Sequence, residues 1–109
     1  MKVAATMLAL LACAALLGAC GSQGVSVAKT SPYRRGAVLF RDHCAGCHTL
    51  KAAGASGTVG PNLDQAKPSA ARVIDRVTHG KGGMPSFATR LSAQQIDDVA
   101  AYVVASAKR

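Results

Sequence analysis

The chain has 109 residues and a formal net charge of +8. Its length suits one small domain and leaves no room for a second of ordinary size. Its thirteen Lys and Arg residues are dispersed and no recognition motif accompanies them, so we expect no nucleic-acid partner. Four cysteines are present, two of them near the N-terminus and two close together further along the chain.

The N-terminal segment predicts export. Met1-Lys2 is positive, an apolar run continues to Leu17, and small residues follow up to Cys20, which is the pattern of a secretory signal peptide over residues 1–19. The run is short for a membrane-spanning helix. Leu17-Gly18-Ala19-Cys20 resembles the lipobox of bacterial lipoproteins, which implies acylation of Cys20 as the mature N-terminus. An ordinary signal peptide with a coincidental cysteine is the alternative.

Residues 20–31 are small and polar after the cysteine and show no periodic pattern. We interpret them as a flexible tether with a reach of about 15–20 Å. The remaining residues, 32–109, then form the single folded domain. A domain of this length is marginal for a hydrophobic core and often needs a covalent or cofactor staple.

A first helix is predicted to begin at Ser31-Pro32, where serine suits the N-cap and proline the first helical position. The apolar residues then recur at helical spacing: Tyr33, Ala37, Phe40 and Cys44, with Gly36 on the same side. This helix leads directly into the second pair of cysteines.

Cys44-Ala45-Gly46-Cys47-His48 fits the C-x-x-C-H pattern of covalent c-type haem attachment. Two cysteines three positions apart lie on one side of a helical turn, so both sulfurs can reach the vinyl groups along one haem edge. The imidazole of His48 then lies under the ring, where it can bind iron. A structural zinc site would need two further ligands, and a bare redox dithiol would need a βαβ setting.

The segment from residue 51 to residue 67 is rich in Gly, Ala, Pro and Asn, shows no strand alternation, and predicts an extended loop. Long loops in small domains are usually functional, and wrapping a cofactor is a sufficient reason here. A second helix is predicted after Pro68-Ser69 and ends at Gly80. Its apolar stripe consists of Ala70, Val73, Ile74 and Val77.

Met84 is the only methionine beyond the predicted signal peptide, and it follows a run with three glycines that allows the backbone to pass close to a flat ligand. A soft thioether suits the second axial position of a haem iron. His79 is the rival ligand, and packing in the core is the ordinary alternative for a methionine. His43 cannot easily face the same iron as His48.

The last helix has the clearest signature. Ser92 and Gln95 form a capping box, and Leu91 with Ile96 fits a hydrophobic staple. The apolar face of this helix consists of Ile96, Val99, Ala100 and Val103.

The joint pattern of these segments resembles the small class I cytochromes c of bacteria over about 75 residues. The matching motifs are Gly36-Ala37-Val38-Leu39-Phe40, Cys44-Ala45-Gly46-Cys47-His48, Gly60-Pro61-Asn62-Leu63, Gly83-Met84-Pro85-Ser86-Phe87 and the helix that contains Tyr102. The resemblance implies an all-α fold of about three helices, with long loops wrapped around one covalent haem c.

The resemblance also implies particular contacts. Gly36 and Phe40 should meet the last helix near Tyr102, and the Pro61 carbonyl should accept the Nδ1–H of His48. Asn62 is a candidate for a hydrogen bond near the Met84 side. Since the chain has no tryptophan, the donor for a haem propionate stays open among Arg72, Arg76 and Lys67.

These features predict a membrane-tethered, mono-haem electron carrier, a monomer and not an enzyme, anchored on the periplasmic or extracellular side of a bacterial membrane. The expected partners are redox proteins: a quinol-oxidising complex, and a terminal oxidase or reductase. Lys51, Lys67 and Lys81 would steer an acidic partner, or the excess charge would serve solubility and lipid attraction. The alternatives are a haem enzyme or gas-binding protein with an exchangeable sixth ligand, and a zinc-binding interaction module.

Overall fold

The structure is a computed structural model that describes residues 30–108. The expected signal peptide, Cys20 and the tether up to residue 29 lie outside the described residues. Within residues 30–108, no helix combines the length and the apolar character needed to cross a membrane.

The described part of the chain is mostly helical. In chain order its elements are α1 (Pro32–His43), β1 (Thr49–Leu50), a 3₁₀-helix (Lys51–Ala53), β2 (Ala55–Ser56), α2 (Leu63–Ala66), α3 (Ala70–His79) and α4 (Ala93–Ala107). The three long helices are those predicted from the sequence. They form a small all-α fold, in which α4 packs against both α1 and α3.

The helix ends follow the capping residues. Ser31 accepts a hydrogen bond from the amide of Arg34, and Pro32 occupies the first turn of α1. At α4 the capping box is complete: the Ser92 hydroxyl accepts from the Gln95 amide, and the Gln95 side chain accepts from the Ser92 amide. Gly80 ends α3 as expected. Short-range capping rules therefore suffice to place all three long helices.

The core lies where α1 crosses α4. A Cβ on Gly36 would overlap the carbonyl oxygen of Asp98 and would lie 2.7 Å from the Cβ of Tyr102. The Tyr102 ring packs against Phe40, with 5.7 Å between ring centroids, and against Tyr33, with 4.9 Å. The expected meeting of Gly36 and Phe40 with the last helix near Tyr102 is confirmed.

An ion pair also joins these two helices. The guanidinium of Arg35 donates to both carboxylate oxygens of Asp98, at 2.6 and 2.9 Å, and the Asp98 side chain is only 2% exposed. Gln94 donates a further hydrogen bond to the same carboxylate. The hydrogen bond from Arg35 keeps the pKa of Asp98 below its usual value, although burial opposes this. Arg35 also donates to the carbonyl of Thr30, so the start of the described chain is tied to the same pair.

The segment predicted as an extended loop contains more structure than expected. β1 and β2 form an antiparallel hairpin in which Leu50 pairs with Ala55, and α2 is a single helical turn. Strands of two residues are too short to show alternation, so no periodic pattern in the sequence predicts them. The side chain of Asn62 caps α2 by accepting from the amides of Asp64 and Gln65. Asn62 therefore stabilises α2 through its side-chain oxygen, and the expected hydrogen bond near Met84 stays a prediction.

Candidate functional site

The two cysteines lie in a tight turn that continues from the end of α1. The Cys44 amide donates to the carbonyl of Phe40, at 2.8 Å, and the amides of Cys47 and His48 donate back to the Cys44 carbonyl, at 3.1 and 3.0 Å. Residues three apart in a helical turn share one side. The backbone therefore presents both thiols to the same neighbourhood, as the C-x-x-C-H pattern requires.

The surroundings of the two cysteine side chains differ. Cys44 is half-buried against the core, whereas Cys47 is exposed. Burial raises the pKa of the Cys44 thiol to about 11, with a smaller contribution of the same sign from Cys47. Cys44 is therefore protonated at neutral pH, and a protonated thiol is a poor nucleophile in disulfide exchange.

His48 has a defined orientation. Its Nδ1 lies 2.8 Å from the carbonyl oxygen of Pro61. A carbonyl only accepts hydrogen bonds, so Nδ1 must carry the proton, and Nε2 is left with a free lone pair. The resemblance implied this contact, and the structure places the two groups in hydrogen-bonding distance. An imidazole held in this way is prepared to bind a metal through Nε2.

The loop from residue 57 to residue 61 closes over the histidine. The Gly60 amide donates to the Cys47 carbonyl, at 2.7 Å, and the Thr49 hydroxyl donates to the carbonyl of Gly57, at 2.8 Å. A Cβ on Gly60 would lie 2.5 Å from Cε1 of His48, so this position has no space for a side chain. The motif that contains Gly60 does not by itself predict this contact, because Gly60 and His48 are twelve positions apart in the sequence.

Met84 ends a closed two-residue turn. Lys81 and Met84 exchange both backbone hydrogen bonds, each 3.0 Å long. Immediately before this turn, Gly80 has a φ of +69°, and a Cβ there would lie 2.5 Å from the carbonyl oxygen of Met84. The Met84 side chain is half-buried and packs against the hydrophobic core. The thioether is therefore held in an apolar setting by a backbone with little freedom.

The end of α1, just before the cysteine motif, contacts the segment that follows Met84. The rings of Phe87 and His43 are in edge contact, with 6.0 Å between their centroids. Phe87 also receives the guanidinium of Arg90 over its ring. The amide of Phe87 donates to the carbonyl of Val77, at 2.8 Å, which joins the same segment to α3. The end of α1, the segment after Met84 and α3 therefore lie next to one another.

The other candidates from the sequence have different surroundings. Nδ1 of His79 lies 3.1 Å from a carboxylate oxygen of Asp75, and its side chain is 71% exposed. Arg76 is paired with the same Asp75. Lys67 and Arg72 are exposed. The structure therefore gives His79 and Arg76 a role at the surface of α3 and does not choose among the three proposed propionate donors.

The donor set fits a covalently attached haem. Two thiols in one turn, an imidazole with a free Nε2 and a half-buried thioether are the groups that such a haem uses. Within residues 30–108, no group of three or more His, Cys, Asp or Glu side chains is arranged to hold a metal ion. A structural zinc site uses four such ligands.

Comparison with known proteins agrees with this chemistry. Residues 31–103 match the family described as cytochrome C oxidase, cbb3-type, subunit III. Cytochrome c6 from Aphanizomenon flos-aquae is 42% identical over 80 residues, which cover 66% of this chain and 87% of that protein. Cytochrome c6 from Synechocystis sp. is 35% identical over 103 residues, which cover 91% of this chain and 85% of that protein.

A solved structure has the same fold. The c-type cytochrome SorU from Sinorhizobium meliloti superposes with a TM-score of 0.68 at 43% identity, covering 72% of this chain and 93% of that one. This chain therefore belongs to the c-type cytochromes, as a small class I electron-transfer protein with one covalently bound haem c.

Proposed function

We propose that this protein is an exported, lipid-tethered electron carrier of a respiratory chain, with Cys44 and Cys47 as the haem attachment sites and His48 and Met84 as the axial ligands. The observation that carries the proposal is the contact between His48 and Pro61, which fixes the imidazole tautomer and leaves Nε2 free. The half-buried thioether of Met84 supplies the second axial ligand.

The residues of the chain have distinct tasks in this arrangement. The haem iron supplies a one-electron couple when bound. Pro61 orients His48, since a ligand histidine that donates its other N–H to a carbonyl is held in one ring orientation. The same hydrogen bond increases the basicity of the imidazole. Met84 lies in a turn closed by backbone hydrogen bonds, and its half-buried side chain packs against the hydrophobic core. A soft thioether ligand favours the ferrous state and raises the reduction potential.

A carrier benefits from ligands that do not change with oxidation state. Because both His48 and Met84 lie on short, hydrogen-bonded segments, little of the chain needs to rearrange when the charge of the site changes. The exposed position of Cys47 indicates where the cofactor edge approaches the surface. We infer that electrons enter and leave at this edge, and that no substrate binds the iron.

Export and tethering follow from the N-terminal sequence. The pattern of residues 1–19 is that of a secretory signal, and Cys20 ends a lipobox-like sequence. Covalent haem attachment takes place outside the cytoplasmic membrane in bacteria that make such proteins, so export agrees with the C-x-x-C-H motif. We propose that acylated Cys20 anchors the protein, with residues 20–31 as the tether and residues 32–109 as the cytochrome domain. A diacyl group with a further N-acyl chain is sufficient for stable anchoring.

The partners are proposed to be respiratory redox proteins: a quinol-oxidising complex as donor and a terminal oxidase or reductase as acceptor. The matching family is described by a subunit of a terminal oxidase, which supports this setting. Lys51 and Lys81 are exposed on segments next to His48 and Met84. They would attract an acidic partner to the cofactor edge, so the electron-transfer rate should fall as ionic strength rises. A rate that does not depend on salt would contradict electrostatic steering.

Absorption spectra test the ligand assignment. The purified protein from a haem-maturing host should show the reduced and oxidised spectra of a c-type cytochrome, and the pigment should stay with the polypeptide in acidified acetone. Met84→Ala should keep the haem, bind external ligands and have a lower reduction potential, since its thioether is lost. His79→Ala is the matched control and should leave the spectrum unchanged. A colourless protein, or an unchanged spectrum in Met84→Ala, would overturn the assignment.

Fractionation tests the tether. Cys20→Ser should be exported and should carry haem, but it should move from the membrane fraction to the soluble envelope fraction. Incorporation of labelled fatty acid into the native protein and not into Cys20→Ser would support acylation at this residue. If the native protein itself appears in the soluble envelope fraction and takes up no labelled fatty acid, the signal peptide is of the ordinary type and the tether is absent.

A further inference from the structure

The structure assigns a specific task to a hydroxyl that neither the motif nor the ligand set includes. We propose that Ser86 is a positioning residue that holds the Met84 segment closed against the end of α3, and so sets how readily an external ligand replaces Met84 at the iron. This inference rests on the proposed role of Met84 as the sixth ligand. It adds a determinant of ligand exchange in residues that do not touch the iron.

The carbonyl groups at the end of α3 find partners in the segment that carries Met84. The last four carbonyl groups of any helix have no partner within the helix. In α3, the Gly80 amide caps the carbonyl of Arg76, at 2.7 Å. The next two carbonyls accept from the segment that carries the methionine: Val77 from the Phe87 amide, at 2.8 Å, and Thr78 from the Ser86 hydroxyl, at 2.5 Å. Half of the carbonyls that need a partner thus receive one from this segment.

The Ser86 hydroxyl makes two hydrogen bonds at once. Its hydroxyl donates to Thr78 and accepts from the amide of Ala88, at 3.3 Å. The side chain therefore joins the helix end to the backbone on the far side of Phe87. A hydroxyl fills both roles because it has one proton to donate and lone pairs to accept with.

The position of these bonds makes them relevant to Met84. Upstream of the methionine, the segment is fixed by the turn with Lys81 and by Gly80. Downstream, Pro85 donates no hydrogen bond, so Ser86 and Phe87 are the first residues that attach the chain to α3. If this downstream attachment opens, Met84 is held on one side only. Local opening of a short loop of this kind is much easier than global unfolding.

The expected effect is small and measurable. Ser86 is exposed, so water can replace part of what its hydroxyl contributes. Removing one such hydrogen bond should raise the population of the open segment, and with it the apparent affinity of the ferric holoprotein for added imidazole, by about two- to tenfold. The free energy of global unfolding should change no more than it does when any other single hydroxyl group is deleted.

The test is a spectrophotometric titration of ferric holoprotein with imidazole, for the native protein and four variants. Ser86→Ala should bind imidazole more tightly by the stated factor, and Ser86→Thr, which keeps the hydroxyl, should return to the native affinity. Ser69→Ala is the matched control, because its hydroxyl caps the other end of the same helix. It should lower the urea midpoint without changing the imidazole affinity. Hydrogen exchange at the Ala88 amide should accelerate in Ser86→Ala alone.

The outcomes separate the two proposals. Met84→Ala should bind imidazole far more tightly than the native protein, and equal affinities would overturn both the ligand assignment and the role of Ser86. If Met84→Ala binds tightly but Ser86→Ala behaves as the native protein does, the ligand assignment stands and the positioning role fails. An equal gain in Ser69→Ala and Ser86→Ala would also reject the positioning role, since general loss of helix stability would then explain both.

Discussion

Gly36 allows the closest contact between α1 and α4, and its replacement by alanine is the most informative test of the fold. The added Cβ would lie 2.7 Å from the Cβ of Tyr102 and even closer to the Asp98 carbonyl oxygen. Carbon atoms in contact lie about 3.5–4.0 Å apart, so the two helices would have to separate by about 1 Å. Both α1 and α4 carry ring contacts and an ion pair across this crossing, and all of these would be disturbed.

Two opposing contributions set the magnitude. Overpacking of a tight core site costs up to about 3 kcal/mol. Alanine in a helix interior gains about 1 kcal/mol over glycine. We therefore expect Gly36→Ala to lower the free energy of unfolding by about 2 kcal/mol, which in a domain of this size lowers the melting temperature by about 10 °C.

Urea unfolding of the holoprotein, followed by far-ultraviolet circular dichroism, measures this effect. Gly46→Ala is the control, because a Cβ at Gly46 has nothing within 4 Å and so adds the same methyl group without overlap. The control should unfold close to the native midpoint. If Gly36→Ala is as stable as Gly46→Ala, the helices can separate at no cost and the reasoning from close contact is wrong.

Three further predictions follow from the site and the core. The hydrogen bond from Arg35 lowers the pKa of Asp98 in the folded state. The stabilisation that this ion pair gives the fold is therefore present above the pKa of an unfolded Asp, about 3.9, and is lost as the pH falls through the lower pKa of the folded state. Unfolding free energies of the native protein and Asp98→Asn, measured from pH 6 to pH 2, should therefore differ most near neutrality and converge in acid; parallel curves would contradict this. Gly80→Ala should weaken the sulfur-to-iron charge-transfer band of the ferric protein, because its Cβ would lie 2.5 Å from the Met84 carbonyl at a φ that alanine rarely adopts. Cys47→Ala should retain the haem through the single remaining thioether and shift the reduced absorption maximum, and loss of the pigment in acidified acetone would show that Cys44 forms no bond.

The sequence predicted local features of this protein well. Ser31, Ser92 and Gln95 mark helix ends through hydrogen bonds that span three residues, and such short-range patterns are legible without a structure. The contact between His48 and Pro61 spans thirteen residues and could be stated only through resemblance to a known family. The distance between Nδ1 of His48 and the Pro61 carbonyl oxygen, and the tautomer of His48 that follows from it, are visible only in the structure.

The features that the sequence did not predict depend on long-range contacts or on very short elements. Arg35 and Asp98 are 63 residues apart, and each looks like an ordinary surface residue until α1 and α4 cross. Ser86 follows a proline in a small-residue segment, and its bond to Thr78 depends on how the chain returns to α3. The cap that Asn62 provides for α2 was not predicted, since a helix of four residues gives no periodic signal that would identify its cap.

The hydrogen bond from Arg35 to the Thr30 carbonyl has a mechanical consequence for a protein that we propose to be held by its N-terminus. Any pull on the chain ahead of Thr30 would pass to the start of α1 and, through the guanidinium, to Asp98 on α4. The turn with Met84 is fastened instead to the far end of α3. Force from the proposed membrane attachment would therefore be carried by the helix crossing, and Met84, the proposed sixth ligand, would be shielded from it.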